Sequence, residues 1–213
     1  CGTISPMETM KQEKQTRLAR LAAVLPAWYQ ANARDLPWRR TQDPYRIWVS
    51  EIMLQQTRVA AVLGYYARFL TAFPTVEALA AAPEEQLMKL WEGLGYYSRA
   101  RNLHKTAKIV AERGGFPDTY DGLLALPGIG DYTAGAICSI CFELPTPAVD
   151  GNVLRVMSRI LNDHSCVDLP KVKQRFTEQL TTVYPAGRCG MLTQALMELG
   201  ATVCCLLYTS DAA

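Results

Sequence analysis

Pro127, Gly128 and Gly130 fall within four residues of one another in Leu126-Pro127-Gly128-Ile129-Gly130-Asp131-Tyr132-Thr133-Ala134-Gly135-Ala136-Ile137, and the run strongly constrains local geometry. Residues 119–125 read as a short helix with Asp118 or Thr119 as N-cap. Pro127 stops it, and Gly128 and Gly130 leave the turn free to take positive φ. A second helix is expected from Asp131, opening on small residues. A glycine hairpin that opens a helix aims several backbone N–H groups outward at the positive end of the helix dipole. Its natural ligand is a phosphate, held without regard to base sequence. A plain tight turn between helices has the same signature, so the hairpin by itself does not decide. Val149-Asp150-Gly151-Asn152-Val153 places a carboxylate at the start of another helix. The pair favours a site.

The chain has 213 residues, 49% hydrophobic and 20% charged, ordinary values for a globular protein with a core in one domain or two small ones. A net charge of +2 permits a nucleic acid partner without arguing for one, so any DNA case rests on local placement. The seven cysteines show no secreted disulfide spacing. There is no signal peptide and no apolar run of membrane-spanning length, so a reducing, cytoplasmic setting is expected, away from membranes. Met7 or Met10 is the expected natural start, since the sequence opens on Cys1.

Residues 16–29 carry Leu18, Leu21, Ala22, Leu25 and Trp28 at helical spacing. Arg34-Asp35-Leu36-Pro37-Trp38-Arg39-Arg40 then mixes arginines with an indole, which suits a phosphate backbone with a base or sugar alongside. A solvated loop fits it equally. A second helix starts at Asp43-Pro44 and runs to Thr57. Within it Glu51 has Ile47, Trp48, Leu54 and Gln55 one turn away, and three of those four are apolar. A carboxyl group against apolar surface tends to a raised pKa, the property of a general acid. The alternative is a glutamate that reaches solvent or pairs with Arg46.

The helix over 59–73 keeps its tyrosines for core and rim, and two short helices open at Thr75 and Pro83. Gly93 and Gly95 allow a tight bend that presents Leu94 and Tyr96 outward, either as wedges for a base stack or in a packed turn. From Arg99 to Val110 a helix carries Arg101, His104, Lys105 and Lys108 on a flank explained by solvation. Cys138 and Cys141 have metal or redox spacing, but inside an apolar helical run they read as small buried hydrophobes. Helices follow over 151–161, 171–184 and 191–203. No strand-like alternation appears, so the expected fold class is all-α.

The hairpin, the Asp150 turn and Glu51-Ile52-Met53-Leu54-Gln55-Gln56-Thr57 together resemble the helix-hairpin-helix DNA glycosylases, and within them the adenine DNA glycosylase (MutY) family. Leu36-Pro37-Trp38-Arg39, Gly93-Leu94-Gly95-Tyr96-Tyr97 and Arg99-Ala100-Arg101-Asn102-Leu103-His104 fit the same pattern, and the likeness extends over 27–204. It implies a two-lobed helical fold with a DNA cleft between the lobes. Residues 30–140 would form a six-helix barrel lobe ending in the helix-hairpin-helix, and 7–29 with 141–204 the second, cluster lobe. It also implies a monomer acting on double-stranded DNA in the nucleoid, where an adenine opposite guanine or 8-oxoguanine is flipped out and excised.

Carried over by residue, Glu51 would protonate the adenine and Asp150 would stabilise the sugar cation, a division of labour like that in glycoside hydrolysis. Asn152 and Tyr132 would orient the site. Gln56 and Tyr96 would fill the stack, Thr57 and Leu94 would line it, and Arg34, Trp38, Arg39, Gly128 and Gly130 would hold the DNA. Bifunctional relatives carry a lysine just after the hairpin, where this chain has Tyr132, so a monofunctional enzyme is expected. Two rivals remain: an endonuclease III-like glycosylase acting on oxidised pyrimidines, and a non-catalytic helix-hairpin-helix module. The second predicts no acid at 51 or 150.

Beyond Gly200-Ala201-Thr202-Val203-Cys204 the family continues into three more cysteines that hold a 4Fe–4S cluster, and then into a domain that recognises 8-oxoguanine. Here Cys204 alone occupies a ligand position, because Cys205 follows too soon and no cysteine lies beyond it. Residues 205–213 resemble the translation of an adapter used in sequencing libraries. They are expected to be a non-native tail, and the cluster is not expected to assemble in the chain as written.

Overall fold

A computed structural model describes residues 5–204. The segment 205–213, expected to be non-native, lies outside them, as does Cys205. Among the described residues there is helix and no strand, as the all-α expectation requires. Contacts divide the chain into two compact units. One comprises Asp35–Phe142, and the described residues of the other are 5–34 and 143–204.

The first of these contains a 3-10 turn at Pro37–Arg39 and seven helices: α2 (Pro44–Leu54), α3 (Val59–Ala72), α4 (Val76–Ala81), α5 (Glu84–Trp91), α6 (Ser98–Arg113), α7 (Tyr120–Leu124) and α8 (Asp131–Phe142). Its centre is α2, every residue of which from Ile47 to Met53 is buried. It packs against α3, α6, α8 and the 3-10 turn. Asp43 opens it by accepting the Tyr45 N–H at 2.8 Å, an N-cap that satisfies one of the donors left over at a helix start. Aromatic edges fill the spaces around it, with Trp48 against Phe116 at 5.4 Å and Phe69 against Trp91 at 6.2 Å between ring centres. In α8 residues 133–140 are all buried. Cys138 is among them, and Cys141 is half-buried. Burial pushes the Cys141 thiol up, and the nearby Asp43 and Glu51 carboxylates add to the effect. This thiol sits as a small hydrophobe.

The second unit is built from α1 (Pro6–Asn32), α9 (Gly151–Leu161), α10 (Pro170–Thr181) and α11 (Cys189–Thr202). Its core joins Leu18 and Leu25 of α1 to Val153, Val156 and Met157 of α9, Phe176 and Leu180 of α10, and Leu192 and Leu196 of α11. The first helix starts ten residues before the expected Thr16. A capping box starts it there: Ser5 Oγ accepts the Glu8 N–H at 3.2 Å, and Glu8 Oε2 accepts the Ser5 N–H at 3.0 Å. Residues 7–13 are exposed, so no apolar stripe announces these turns.

Helix α11 crosses α9 closely at Gly200. A Cβ there would lie 2.5 Å from Asn152 Cβ and 2.7 Å from its carbonyl oxygen, so only glycine fits. The start of α11 is capped from a distance by Glu143, whose Oε2 accepts the Cys189 N–H at 2.5 Å and the Gly190 N–H at 3.4 Å.

Candidate active site

The glycine hairpin is held from α6. Thr106 Oγ1 donates to the Pro127 carbonyl at 2.8 Å, and a Cβ on Gly128 would come within 2.8 Å of Asn102 Cβ. Gly128 has φ 78°, so it needs glycine on two counts. Gly130 differs from the expectation. Its φ is not positive and a Cβ would meet nothing within 4 Å, so neither strain nor crowding requires glycine there. What remains is an exposed, side-chain-free backbone at the mouth of α8. Between the two glycines Ile129 is buried and pegs the turn down. Across the hairpin Tyr120 Oη donates to Asp131 Oδ1 at 3.0 Å. Burial and the Asp131 carboxylate push that phenol up to about 12.

Glu51 lies near the end of α2 and is 6% exposed. Ile47 and Trp48, a turn earlier, are buried, while Leu54 and Gln55 are half-buried. Reaching to solvent is therefore not its arrangement, and Arg46 lies on the exposed side, 3.7 Å from Asp43. Tyr132 occupies the first turn of α8, half-buried, and α8 contains no lysine.

Where α2 ends, Gln56 is exposed with a left-handed backbone (φ 57°), and Thr57 is half-buried, its N–H on the Leu54 carbonyl at 3.2 Å. In the second loop Tyr96 is also left-handed (φ 46°) and is 64% exposed. Leu94 does not point outward as expected. It is buried, because Gly93 (φ 95°) turns the chain back and the Leu94 N–H closes on the Trp91 carbonyl at 3.0 Å. Trp38 is a core residue too, its ring edge-on to Tyr66 at 5.3 Å, so its faces are unavailable for stacking on a base.

The second unit holds Asp150 and Asn152. Asp150 is the N-cap of α9, with Oδ1 accepting the Val153 N–H at 2.8 Å. Its other oxygen accepts from Asn152 Nδ2 at 2.7 Å. Asn152 Oδ1 in turn accepts from Arg155 Nη2 at 2.7 Å, which fixes which end of the amide faces Asp150. Arg155 also donates to the carbonyls of Cys204 at 3.0 Å and Gly200 at 3.1 Å. A cap needs one carboxylate oxygen. Here both are oriented.

Arg34, expected at the DNA, is exposed and is also held within its own unit. Its backbone N–H and Nε reach Glu198 Oε1 at 3.0 and 2.8 Å, and Nη2 reaches Oε2 at 2.9 Å. Glu198 is fully buried, so the guanidinium is the countercharge for an interior carboxylate. Arg40 pairs with Asp35 through two nitrogens. Arg39 is half-buried on the 3-10 turn.

No group of three or more His, Cys, Asp or Glu among the described residues is placed to hold a metal. Cys204 is half-buried against the α1, α9, α10 and α11 core. The described residues therefore do not fit a cluster site, and no step runs through one. No helix among them is long and apolar enough to cross a membrane.

Sequence reasoning placed Arg99 and Asn102 in a run that fits the family pattern without giving either a role, and it missed Arg155, Glu198 and the Thr106 bond to the hairpin. Arg155 left a readable sign in its place three residues after Asn152 on one helical face.

A family model described as HhH-GPD superfamily base excision DNA repair protein matches residues 49–181. The chain belongs to this superfamily. Several curated relatives are adenine DNA glycosylases. One from Buchnera aphidicola subsp. Baizongia pistaciae is 41% identical over 83% of the chain and 51% of the relative. The Homo sapiens protein is 46% identical over 84% of the chain and 35% of its own length, and one from Mycobacterium tuberculosis is 39% identical over 84% and 60%. The chain thus spans about half the length of its bacterial relatives and about a third of the human one. Among solved HhH-GPD structures, a thermostable thymine-DNA glycosylase superposes with a TM-score of 0.79 at 26% identity, covering 91% of this chain and 90% of that one. A non-covalent endonuclease III–DNA complex gives 0.75 at 21% identity over 91% and 88%, a likeness of fold.

Proposed function

We propose that this chain carries the glycosylase part of a monofunctional adenine DNA glycosylase, removing adenine paired with 8-oxoguanine or guanine from duplex DNA. The observation that carries the reading is the double hold on Asp150, one oxygen on the Val153 N–H and the other on Asn152 Nδ2. That arrangement presents an oriented anion at a helix start, as a developing sugar cation requires. The curated relatives supply the base, since they are adenine DNA glycosylases.

Glu51 gives a proton to the adenine as the N-glycosidic bond breaks, so the base leaves neutral. Asp150 faces the oxocarbenium ion at the sugar, held in place by Asn152. Water adds to that carbon and gives a proton to the Glu51 carboxylate, which restores the acid and leaves an abasic site in an unbroken strand. Gln56 and Tyr96 enter the stack, with Thr57 beside them and Tyr132 lining the site. The backbone at Gly128 and Gly130 takes phosphates, and Arg39 adds a positive charge for the DNA backbone. Leu94 and Trp38 act within the fold instead, and Arg34 adds positive charge for the DNA backbone. The protein works as a monomer on chromosomal DNA in a reducing compartment.

Tyr132 separates this reading from an endonuclease III-like one. A phenol cannot form the Schiff base through which a lysine cleaves the strand. The test uses a hybrid in which residues 1–204 continue into the C-terminal part of a curated relative, acting on a duplex with adenine opposite 8-oxoguanine. Strand breaks are expected only after alkali, and borohydride is expected to trap little covalent complex. Efficient trapping would overturn monofunctionality.

A further inference from the structure

We propose that Arg99 is a positioning residue that sets two DNA-facing loops, 55–57 and 94–97, with one guanidinium. The inference rests on the reading that Gln56 and Tyr96 enter the base stack. Arg99 Nη1 donates to the carbonyls of Ile52 at 2.8 Å, Met53 at 3.2 Å and Gln55 at 2.6 Å. Its Nη2 donates to those of Leu94 at 3.0 Å and Gly95 at 3.2 Å. One nitrogen therefore serves each loop. The guanidinium carbon lies 5.5 Å from the centre of the Trp91 ring and 5.6 Å from that of Tyr96.

All five acceptors are backbone carbonyls. Those of Ile52 and Met53 belong to the last turn of α2, where carbonyls lack partners in the helix and the dipole favours a cation. The residue just after each set of acceptors is the one in a left-handed conformation, Gln56 after Gln55 and Tyr96 after Gly95. Non-glycine residues keep that backbone only where their surroundings over-determine it. A rigid planar fork can bridge two loops, and a lysine ammonium, a compact point charge, cannot do so in the same way. Loops ordered before DNA arrives lose less freedom on binding, and the gain falls on whatever Gln56 and Tyr96 touch.

The test compares the parent chain with Arg99→Lys and Arg99→Met. Backbone hydrogen exchange is expected to quicken by roughly tenfold or more at 55–58 and 94–99 while the α6 core from Leu103 to Val110 keeps its protection, which also shows that the unit stays folded. The ratio of affinities for a duplex with adenine opposite 8-oxoguanine and an undamaged duplex is expected to fall by roughly tenfold in both variants. General destabilisation would lower both affinities and leave the ratio alone. Adding Arg99→Met to a Gln56→Ala/Tyr96→Ala variant is expected to remove no further preference, because the arginine acts through those two residues. An additive loss, unchanged exchange in the loops, or full preference in Arg99→Lys would overturn the proposal. If Gln56→Ala/Tyr96→Ala keeps the parent's preference, the stack reading itself fails. If that variant loses preference and the Arg99 variants keep it, only the role of Arg99 fails.

Discussion

In the hybrid carrying Asp150→Asn, adenine release under single-turnover conditions is expected to fall by about 10³-fold, the scale on which one group aimed at developing charge matters. As an N-cap the new amide serves nearly as well, since Asn and Asp cap alike and its oxygen can still take the Val153 N–H. The other side of the group loses its partner. Asn152 Nδ2 now donates to Asp150 Oδ2, and Arg155 on Asn152 Oδ1 keeps that amide from turning over. The new NH₂ therefore faces another NH₂, and one hydrogen bond is lost, at a cost of about 1 kcal/mol. Melting should drop by only about 2–4 °C in a protein of this size. The two readouts separate the roles: a small stability loss with intact excision would leave Asp150 as a cap and nothing more.

Glu51→Gln is expected to lower excision by about 10²–10⁴-fold, the usual worth of a general acid. The substitution keeps the volume of a side chain that is 6% exposed and removes only the proton it can give. Binding to the same duplex should persist, because the hairpin backbone is untouched. Excision within a few-fold of the parent, measured at saturating enzyme, would remove Glu51 from the chemistry.

Much of this site is visible in the residues because it depends on local geometry. Pro127 and Gly128 mark the hairpin through backbone restriction, and the apolar neighbours of Glu51 foretell its burial. Asp150 is legible as a cap through its place before an apolar helical run. Trp38 and Leu94 were not legible, since a large side chain in a Pro- or Gly-broken loop packs inward or outward according to neighbours distant in sequence. Tyr66 decides the matter for Trp38. The Arg34–Glu198 pair joins residues 164 apart, and no local pattern announces it. Arg99 is hidden for another reason. Its acceptors are carbonyls, which every residue possesses, so no side-chain identity signals them. The first turns of α1 carry no apolar stripe and are opened by the Ser5–Glu8 cap.

The most direct test of the central claim is to identify the base released by the hybrid from matched duplexes, one with adenine opposite 8-oxoguanine and one with thymine glycol. Chromatography of the small-molecule fraction is expected to show free adenine from the first duplex, none from the second, and neither product in Glu51→Gln at the same enzyme concentration and time. Release of thymine glycol with adenine left in place would contradict the account and assign the chain to pyrimidine repair.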